Sequence, residues 1–514
     1  MFSKVKSCAV HGVDGRMIDV EADVNDGLPV FTMVGYLSSS VRESSERVRT
    51  ALKNSGFHLP PKRITINLSP ADMRKDGSGY DLAIATAVLL SFGVTAELSM
   101  EQTLVLGELS LDGSIKAIPG VLPMVICARE EGMTSCIVPK ENVQEAALVQ
   151  GISVIGVSSL KETMEYIQGI KEYENTNVEQ PAVDTSEYLY DIDFSDVVGQ
   201  ESIKRGMEIA AAGFHNVLLT GAAGAGKSML AKRLPTILPQ MSFEESLEVT
   251  KIYSVGGMLP PEGGLIHRRP FRAPHHTISE YALIGGGRVP TPGEVSFAHY
   301  GVLFLDELPE FSKPVLEVLR QPLEDRRIRI SRVQASYEFP ADFMFVAAMN
   351  PCPCGNYPDY RRCSCTEQQI RRYQSKVSGP LLDRIDIRME VKGVKQEVLF
   401  SKQKTESSKT IRARVEQARQ MQKERFAGTG LLFNSQLDGK NLEEYITLSE
   451  KGKRLVLQLF EEQELSVRGV HRVLKLARTI ADLAGSEEIE NAHLQEAAFY
   501  RNQDVFAKGV LYGN

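Results

Sequence analysis

Alternating and continuous apolar patterns divide this chain into regions. In residues 17–24 and 63–68 apolar and polar side chains alternate, which is typical of strands with one buried face. Residues 40–54 repeat their apolar positions at helical spacing instead. We therefore predict that residues 1–168 form an α/β domain of their own.

Farther along the chain, the predicted strands are continuous runs without charged side chains. They lie at residues 216–220, 301–305 and 343–349 and are typical of parallel strands buried on both faces. After residue 442 the pattern is helical as far as residue 506. The predicted organisation is a linker at 169–192, where the sequence is polar and acidic, an α/β domain at 193–398 and a helical domain at 399–514.

A glycine-rich loop follows the first apolar run and precedes a helical pattern. Backbone N–H groups of such a loop converge on phosphates, a lysine reaches the β and γ phosphates, and a serine hydroxyl is a ligand for Mg²⁺. A chance Lys-Ser pair in a glycine-rich turn is the alternative. The residues predicted to bind the nucleotide are Gly221, Ala222, Ala223, Gly224, Ala225, Gly226, Lys227 and Ser228.

The second apolar run ends in two acids, Asp306 and Glu307. This pattern is typical of a Walker B strand, in which Asp306 would hold the Mg²⁺ bound by Ser228 and Glu307 would polarise the attacking water. A surface turn could carry the same acid pair, although such a turn would rarely follow five apolar residues. The two motifs together predict an enzyme that hydrolyses ATP with Mg²⁺.

Three further polar residues complete the predicted catalytic set. Asn350 ends the third apolar run, where its amide could contact the γ-phosphate or the water. Arg384 lies between apolar residues and is predicted to act on a neighbouring subunit's nucleotide, with an internal pair to Asp383 or Asp386 as the alternative. Arg468 follows a possible helix cap at Ser466 and is the candidate for a second sensor.

The pattern of residues 325–339 predicts a β-hairpin rich in arginine. Alternation places Arg327 and Arg329 on one face and Arg332 on the other, unless a bulge intervenes. Cations that contact phosphates without reading bases suit a motor that moves over any sequence, so the three arginines are candidates for DNA contact. A solvated, charge-guarded sheet edge is the alternative.

Four of the seven cysteines cluster just after Asn350, in two Cys-x-Cys pairs. Tetrathiolate binding of Zn²⁺ would staple this loop, although the spacing is tighter than the usual Cys-x₂-Cys. Four reduced thiols are the alternative. The candidate zinc ligands are Cys352, Cys354, Cys363 and Cys365.

Composition limits where the protein acts and how it meets nucleic acid. The 514 residues include no apolar run of membrane length and no amino-terminal signal pattern, so we expect a cytoplasmic protein without a membrane partner. The net charge of −7 excludes a uniformly basic coat, and any DNA contact is expected at local patches.

In their order along the chain, the phosphate loop, acidic strand, strand-end asparagine and late arginines resemble the AAA+ ATPases. Residues 270–279 and 292–311 look like the magnesium-chelatase-like subgroup, and the whole chain resembles the ComM/YifB family. That family is associated with ring-shaped DNA helicases that drive branch migration in natural transformation. The resemblance implies a homo-oligomer, a hexamer, that uses ATP and Mg²⁺ to act on single-stranded or branched DNA in transformation or recombination.

Residues 75–79, 107–113 and 137–142 of the amino-terminal region resemble the proteolytic domain of Lon, which has an S5-like α/β fold. Aligning these motifs puts Gly79 where the nucleophilic serine should stand and Leu122 at the position of the catalytic lysine. Ser78 is one residue away, but it lacks a base, because the leucine cannot accept its proton. The domain is therefore predicted to be a scaffold for ring assembly or for holding nucleic acid.

The predicted fold is an α/β AAA+ core with a helical lid, preceded by the Lon-like domain. Its predicted function is that of a DNA helicase or translocase driven by ATP. Two alternatives remain from the sequence: a motor subunit of a metal chelatase, which would lack a Lon-like domain, and an ATP-dependent protease, which Gly79 and Leu122 disfavour.

Overall fold

Two separate sheets organise the chain. The computed structural model describes residues 1–96, 100–171, 190–260, 264–332, 335–393, 405–463 and 465–501. One sheet is built before the predicted linker and the other after it. Most of that linker, residues 172–189, and the predicted boundary at 398/399 lie outside the described residues, so the domain boundaries stay a prediction.

The amino-terminal sheet confirms the strands and the helix predicted from the first apolar pattern. Its strand order is β3-β4-β2-β1-β5-β8-β9, with antiparallel pairing of β1 with β2 and of β2 with β4. The strands of this region are Phe2–His11 (β1), Asp14–Asn25 (β2), Phe31–Val34 (β3), Arg63–Ser69 (β4), Thr103–Val105 (β5), Glu108–Leu109 (β6), Ile115–Lys116 (β7), Ser135–Pro139 (β8) and Ser153–Val157 (β9). The helices are Ser39–Asn54 (α1), Asp81–Ser91 (α2), Val121–Glu130 (α3), Val143–Ala146 (α4) and Leu160–Ile167 (α5).

Burial explains why β2 alternates and α2 does not. Ile18, Val20 and Ala22 on β2 are fully buried, while the residues between them are partly exposed. Helix α2 is buried on nearly all sides, and its one acid, Asp81, lies 2.9 Å from the Arg47 guanidinium. A charge taken out of water needs such a partner, so the ion pair accompanies the burial of this helix.

The second sheet has five parallel strands in the order β11-β14-β17-β10-β18. Its central strands are buried on both faces, as the continuous apolar runs predicted. The strands after the linker are Val217–Thr220 (β10), Phe271–Arg272 (β11), Gly285–Gly286 (β12), Thr291–Pro292 (β13), Val302–Leu305 (β14), Arg327–Ser331 (β15), Ser336–Pro340 (β16), Met344–Met349 (β17) and Ile387–Glu390 (β18). The helices are Glu201–Gly213 (α6), Lys227–Arg233 (α7), Phe243–Val255 (α8), Glu280–Ile284 (α9), Glu294–Phe297 (α10), Lys313–Val318 (α11), Arg320–Asp325 (α12), Glu367–Gln374 (α13) and Gly379–Leu382 (α14).

The carboxyl-terminal region is helical, as predicted up to residue 501, and residues 502–506 lie outside the described part. Its apolar side chains join one core with those of α6 and of β10. None of the described helices is long and apolar enough to cross a membrane. The helices are Ser408–Arg425 (α15), Gly439–Tyr445 (α16), Glu450–Glu462 (α17), Val467–Leu483 (α18) and Asn491–Arg501 (α19).

The amino-terminal sheet packs directly against the hairpin β15–β16 and helix α8. Phe339 of the hairpin shares a small buried cluster with Val13 and Ile252. At Gly12, where φ is +68°, an added Cβ would lie only 2.8 Å from the Glu338 carbonyl oxygen. Glycine is therefore required there both by its backbone conformation and by the closeness of the hairpin.

A buried carboxylate also lies at this contact between the two regions. The Ser254 hydroxyl at the end of α8 donates to Glu145, which also accepts the Leu122 N–H at 2.8 Å and the Asn142 amide at 3.1 Å. Burial raises the pKa of Glu145. Because three donors from two regions meet one carboxyl group, the contact is specific as well as apolar.

Candidate nucleotide-binding site

The glycine-rich loop lies between β10 and α7, at the carboxyl edge of the parallel sheet. Gly224 and Gly226 have φ values of 77° and 95°, in the left-handed region that favours glycine. A Cβ on Gly221 would collide with the Val391 carbonyl oxygen, so this residue too has no room for a side chain. The loop therefore has the tight turn and the helix amino terminus that phosphate binding requires.

Lys227, the first residue of α7, is 8% exposed. Its ammonium donates to the carbonyls of Gly221 and Ala222 at 2.7 and 2.8 Å, and to the Asn350 side-chain oxygen at 3.0 Å. Burial lowers the pKa of Lys227, and the carboxylates of Asp306 and Glu307 oppose this effect. An incoming phosphate would offer the ammonium a charged acceptor in place of neutral carbonyls.

Ser228 and Asp306 meet from two different elements. The Ser228 hydroxyl donates to the Asp306 carboxylate at 2.6 Å. Adjacent oxygen ligands of Mg²⁺ at about 2.1 Å lie about 3 Å apart, so the two oxygens are close enough to belong to one coordination sphere. These residues fit the predicted metal site, in which bound Mg²⁺ would neutralise phosphate charge.

Glu307 occupies an unusual backbone conformation, with φ 52° and ψ 48°. A residue with a side chain rarely adopts this left-handed region, and such strain is common at functional sites. Its exposed side chain lines a cavity of about 590 Å³ together with Asn350. The structure thus brings Glu307, Asn350, Lys227, Ser228 and Asp306 to one edge of the sheet, while their individual roles stay a prediction.

Two cations of this cavity were missed by the sequence reasoning, Arg372 and Lys376. They lie on and just after α13, and Lys376 is 3.5 Å from Glu310. A usable signal was present in the sequence, because Thr366 and Gln369 form a capping box at the start of this helix. Identifying the helix would have placed both cations one turn apart on one face.

Arg384 and Arg468 both lie beside Glu324 of α12 and not beside the phosphate loop. The Arg384 guanidinium donates to the Glu324 carboxylate and to the Pro380 carbonyl, and Arg468 lies 4.0 Å from the same carboxylate. The alternative that paired Arg384 with Asp383 or Asp386 named the wrong acids. The Asp386 carboxylate instead accepts the backbone N–H of Asn216 at 3.0 Å.

Exposure separates Arg468 from the other two arginines of its helix. Arg468 is 67% exposed. Arg472 and Arg478 are largely buried, Arg472 at 3.9 Å from Asp386 and Arg478 at 3.0 Å from Asp482. The predicted cap is present, since the Ser466 hydroxyl accepts the Gly469 N–H.

The predicted hairpin is present as β15 and β16, and it divides the three candidate DNA arginines. Arg327 and Arg329 share one carboxylate, Glu338 on the partner strand, at 2.8 and 3.1 Å. Arg332 follows the strand, and its guanidinium donates to the Gly287 carbonyl at 3.0 Å. Contact of these arginines with DNA stays a prediction.

The four clustered cysteines converge, as the loop that carries them folds back on itself. All four sulfur atoms lie within 4.8 Å of one another, and the Sγ of Cys352 is 3.4 Å from that of Cys354 and 3.8 Å from that of Cys363. A tetrahedral zinc with Zn–S bonds of about 2.3 Å places its sulfurs about 3.8 Å apart. The cysteine geometry therefore fits a zinc ion held by four thiolates, and it also permits four free thiols.

The Lon-like positions have no catalytic dyad within the described residues. Leu122 is fully buried. A Cβ added to Gly79 would lie 3.1 Å from the Ile118 side chain, so a serine there would be crowded. The Ser78 hydroxyl donates to Glu108, and the buried Lys75 ammonium donates to the carbonyls of Pro70 and Met73. Loss of proteolysis in this domain stays a prediction that these contacts support.

A parallel sheet with a phosphate loop, an acidic strand end and a neighbouring asparagine, followed by a helical lid, defines an ATPase of the AAA+ class. Three family profiles match the chain: "Magnesium chelatase, subunit ChlI" at 193–399, "Subunit ChlI of Mg-chelatase" at 20–142 and "Magnesium chelatase, subunit ChlI C-terminal" at 405–501. The chain belongs to the ComM/YifB family of magnesium-chelatase-like AAA+ proteins.

ComM and YifB proteins match nearly the whole chain. Competence protein ComM of Haemophilus influenzae is 41% identical over 503 residues, 97% of each chain. The YifB protein of Escherichia coli is 40% identical over 506 residues, 98% of this chain and 97% of its own. Lon protease 2 of Bacillus subtilis is 30% identical over 183 residues, 32% of each chain, in agreement with the Lon-like fold. Family membership indicates an ATPase that uses ATP and Mg²⁺ and forms oligomers.

We expect Lys227→Ala to weaken nucleotide binding, because the ammonium lies against the predicted phosphate loop and would bind the phosphates there. Glu307→Gln should retain binding and lose turnover by about 10²-fold or more, because only activation of the water is removed. Equilibrium binding of a fluorescent ATP analogue and release of phosphate measure the two effects.

The exposed Glu461→Gln serves as the matched control for Glu307→Gln, since it makes the same charge change far along the helical region. Its binding and turnover should equal those of the wild type. Undiminished hydrolysis by Glu307→Gln would remove the base assignment.

Proposed function

We propose that this protein is a hexameric ring ATPase that translocates along DNA. The observation that carries the proposal is the meeting of Lys227, Ser228, Asp306 and Asn350 at one sheet edge, which supports a cycle of ATP binding and hydrolysis. Its DNA substrate is supported by the relative named a competence protein, since competence is the uptake of DNA. The proposed substrate is single-stranded or branched DNA. The proposed process is transformation or recombination.

We assign the cycle's roles to named side chains. Lys227 and the loop N–H groups bind the phosphates, Ser228 and Asp306 hold Mg²⁺, Glu307 polarises the water, and Asn350 orients it or the γ-phosphate. The cations Arg372 and Lys376 line the same cavity as Glu307, where they would offset the charge of the nucleotide. Arg468 is proposed as a second sensor, because its exposed guanidinium is available to a nucleotide across a subunit contact.

A chelatase-type motor subunit is the second candidate, because the matching profiles describe the ChlI subunit of magnesium chelatase. DNA distinguishes the two candidates. A DNA motor hydrolyses ATP faster when DNA is present, whereas the hydrolysis rate of a chelatase motor is expected not to change with DNA.

Hydrolysis by the full chain should rise severalfold with at least one of three DNAs: a single strand, a duplex and a branched junction. The rate of phosphate release is measured with each DNA and without DNA. Lys227→Ala with the same DNAs corrects for contaminating enzymes. A rate that none of the three DNAs changes, together with no DNA binding, would contradict the proposal.

Arg384 is proposed to act in trans, on the nucleotide of a neighbouring subunit. Its guanidinium donates to Glu324 and Pro380, and among the described residues it has no contact with the phosphate loop of its own chain. In a ring, mixing Lys227→Ala chains with Arg384→Ala chains creates some interfaces in which both parts are intact. An arginine that reaches a neighbour's nucleotide in this way is called an arginine finger, and its loss lowers the hydrolysis rate by about 10³-fold or more. We therefore expect the mixture to hydrolyse ATP measurably faster than either variant alone.

Light scattering or native mass spectrometry must show that the two variants form mixed rings. The control mixture contains the two variants at the same total concentration under conditions that prevent exchange of subunits. No gain in rate from mixed rings would exclude action of Arg384 in trans.

Zinc is proposed as a structural ion held by Cys352, Cys354, Cys363 and Cys365. Gly355 in this loop approaches the phosphate loop, since a Cβ there would lie 3.3 Å from the Ala223 nitrogen. Stapling the loop would therefore hold a wall of the nucleotide site in place.

We expect elemental analysis of protein purified without added metal to find one zinc per chain. Cys354→Ser should lose the ion and unfold at a lower temperature, because the loop loses its crosslink. Cys127→Ser, outside the cluster, is the matched control. A folded wild-type protein with full thermal stability and no zinc would leave four ordinary thiols.

A further inference from the structure

A groove lies between the amino-terminal sheet and the β15–β16 hairpin. Its central cavity of about 650 Å³ is lined by Ser78 and Gly79 on one side and by Tyr337 of the hairpin on the other. A second cavity of about 580 Å³ shares Tyr36 with it, and a third of about 530 Å³ shares Thr291. We call these three adjoining cavities the interdomain groove.

The interdomain groove is basic in a chain that is acidic overall. The groove is lined by three carboxylates, Asp72, Asp76 and Glu43, and by five arginines. Among the residues that the structure describes, Arg74 is the one groove arginine with a carboxylate in ion-pair range, Asp76 at 3.4 Å. The groove arginines are Arg16, Arg42, Arg74, Arg288 and Arg332.

The cations come from both sides of the contact between the two regions. Arg16, Arg42 and Arg74 belong to the amino-terminal region, whereas Arg288 and Arg332 belong to the core. Four of the five are exposed, Arg74 being partly buried. Five arginines and three carboxylates leave the groove with an excess of positive charge, which an anionic ligand would offset.

Aromatic rings lie along the same groove. Tyr36 stands where the central cavity meets the second one, and Tyr281, which is 68% exposed, lines the third. Tyr337 stacks on His11, with ring centroids 4.5 Å apart and an angle of 20° between the planes. Flat rings interspersed with arginines are the combination that binds unpaired bases and their phosphates without reading sequence.

We propose that the interdomain groove binds single-stranded nucleic acid, with its arginines on the phosphates and its tyrosines stacked on the bases. A cavity volume of this size is typical of pockets for small molecules and is large enough for unpaired nucleotides. The inference rests on the proposed function and gives the Lon-like domain a role in it. An unfolded polypeptide is the other occupant to consider, and the excess of cations favours the nucleic acid.

Loss of the Lon dyad is consistent with this use of the groove. Gly79 lines the central cavity at the position of the missing nucleophile, and Ser78 beside it is held by Glu108. A groove without a working nucleophile can retain an extended polymer without cutting it. The hairpin wall of the same groove carries Arg332, so a bound strand would contact both regions of the chain at once.

The test uses the full chain and a fluorescein-labelled oligothymidylate, whose anisotropy reports binding. Arg16→Glu combined with Arg288→Glu should weaken the affinity at least about tenfold. The slope of log affinity against log salt should fall by about 1.4, since two phosphate contacts of a single strand are lost. Hydrolysis of ATP without DNA should stay unchanged.

Arg49→Glu combined with Arg454→Glu is the matched control. Both arginines are exposed and outside the three cavities, and the charge change is identical. Its affinity should equal that of the wild type, which separates a local site from a general effect of net charge.

Tyr281 provides a second and independent variant, because its exposed ring supports no core. Tyr281→Ala should weaken binding about fivefold or more, whereas Tyr281→Phe, which keeps the ring, should bind like the wild type. Equal losses in Ala and Phe variants would point to the hydroxyl and contradict stacking.

Each remaining outcome overturns the inference in a distinct way. A wild type that binds no oligothymidylate in the presence of ATP removes the groove's ligand, and it removes the proposed function as well only if duplex and branched DNA also fail to bind and leave the hydrolysis rate unchanged. A wild type that binds it, with groove variants of equal affinity, removes only the groove assignment. Loss of binding of labelled, unfolded casein by the groove variants, with binding of DNA intact, would assign the groove to polypeptide.

Discussion

The nucleotide site depends on the parallel register of three buried strands. Thr220 on β10 pairs with Met349 on β17, so the phosphate loop begins next to Asn350. Leu305 on β14 pairs with Ala347 on β17, which brings Asp306 to the same edge. A slip of one residue would turn each side chain to the opposite face of the sheet. Packing on both faces fixes the register, and the register places the chemistry.

The cations that would complete the site are held by a much weaker constraint. Arg384 and Arg468 gather at the half-exposed carboxylate of Glu324. Arg468 is 67% exposed, so its ion pair contributes about 0–1 kcal/mol, and a phosphate with its additional acceptor oxygens can replace Glu324 as its partner. Arg384 is only 11% exposed and is held more firmly at the same carboxylate. Action between subunits therefore requires that both arginines leave Glu324.

The sequence predicted those parts of the molecule that local pattern determines. The phosphate loop, the acid pair and Asn350 each follow an apolar run, and parallel strands bring such ends together whatever the connections. The arginine hairpin was also predicted from local pattern, the alternation of arginine and apolar residues. The pairing of Arg384 with Glu324 was not found, because this contact joins segments that no periodicity relates. Arg372 was missed although the capping box of its helix gave a local signal, because nothing in that signal relates the helix to the nucleotide site. The groove was missed as well, since Arg16 and Arg288 are distant in sequence and meet only through packing.

Two consecutive strands, β16 and β17, connect the groove to the nucleotide site. The hairpin residue Tyr337 lines the groove, Phe339 is buried against the amino-terminal Val13, and β17 then leads directly to Asn350, which accepts the Lys227 hydrogen bond. At Gly12 the hairpin backbone is too close to permit even a methyl group. Packed interiors move as units and do not deform gradually. The chain between Tyr337 and Asn350 therefore joins one wall of the groove to the nucleotide site through packed strands. The Lon-like domain thus contacts the segment that carries Asn350, and we expect movements at the two sites to be coupled.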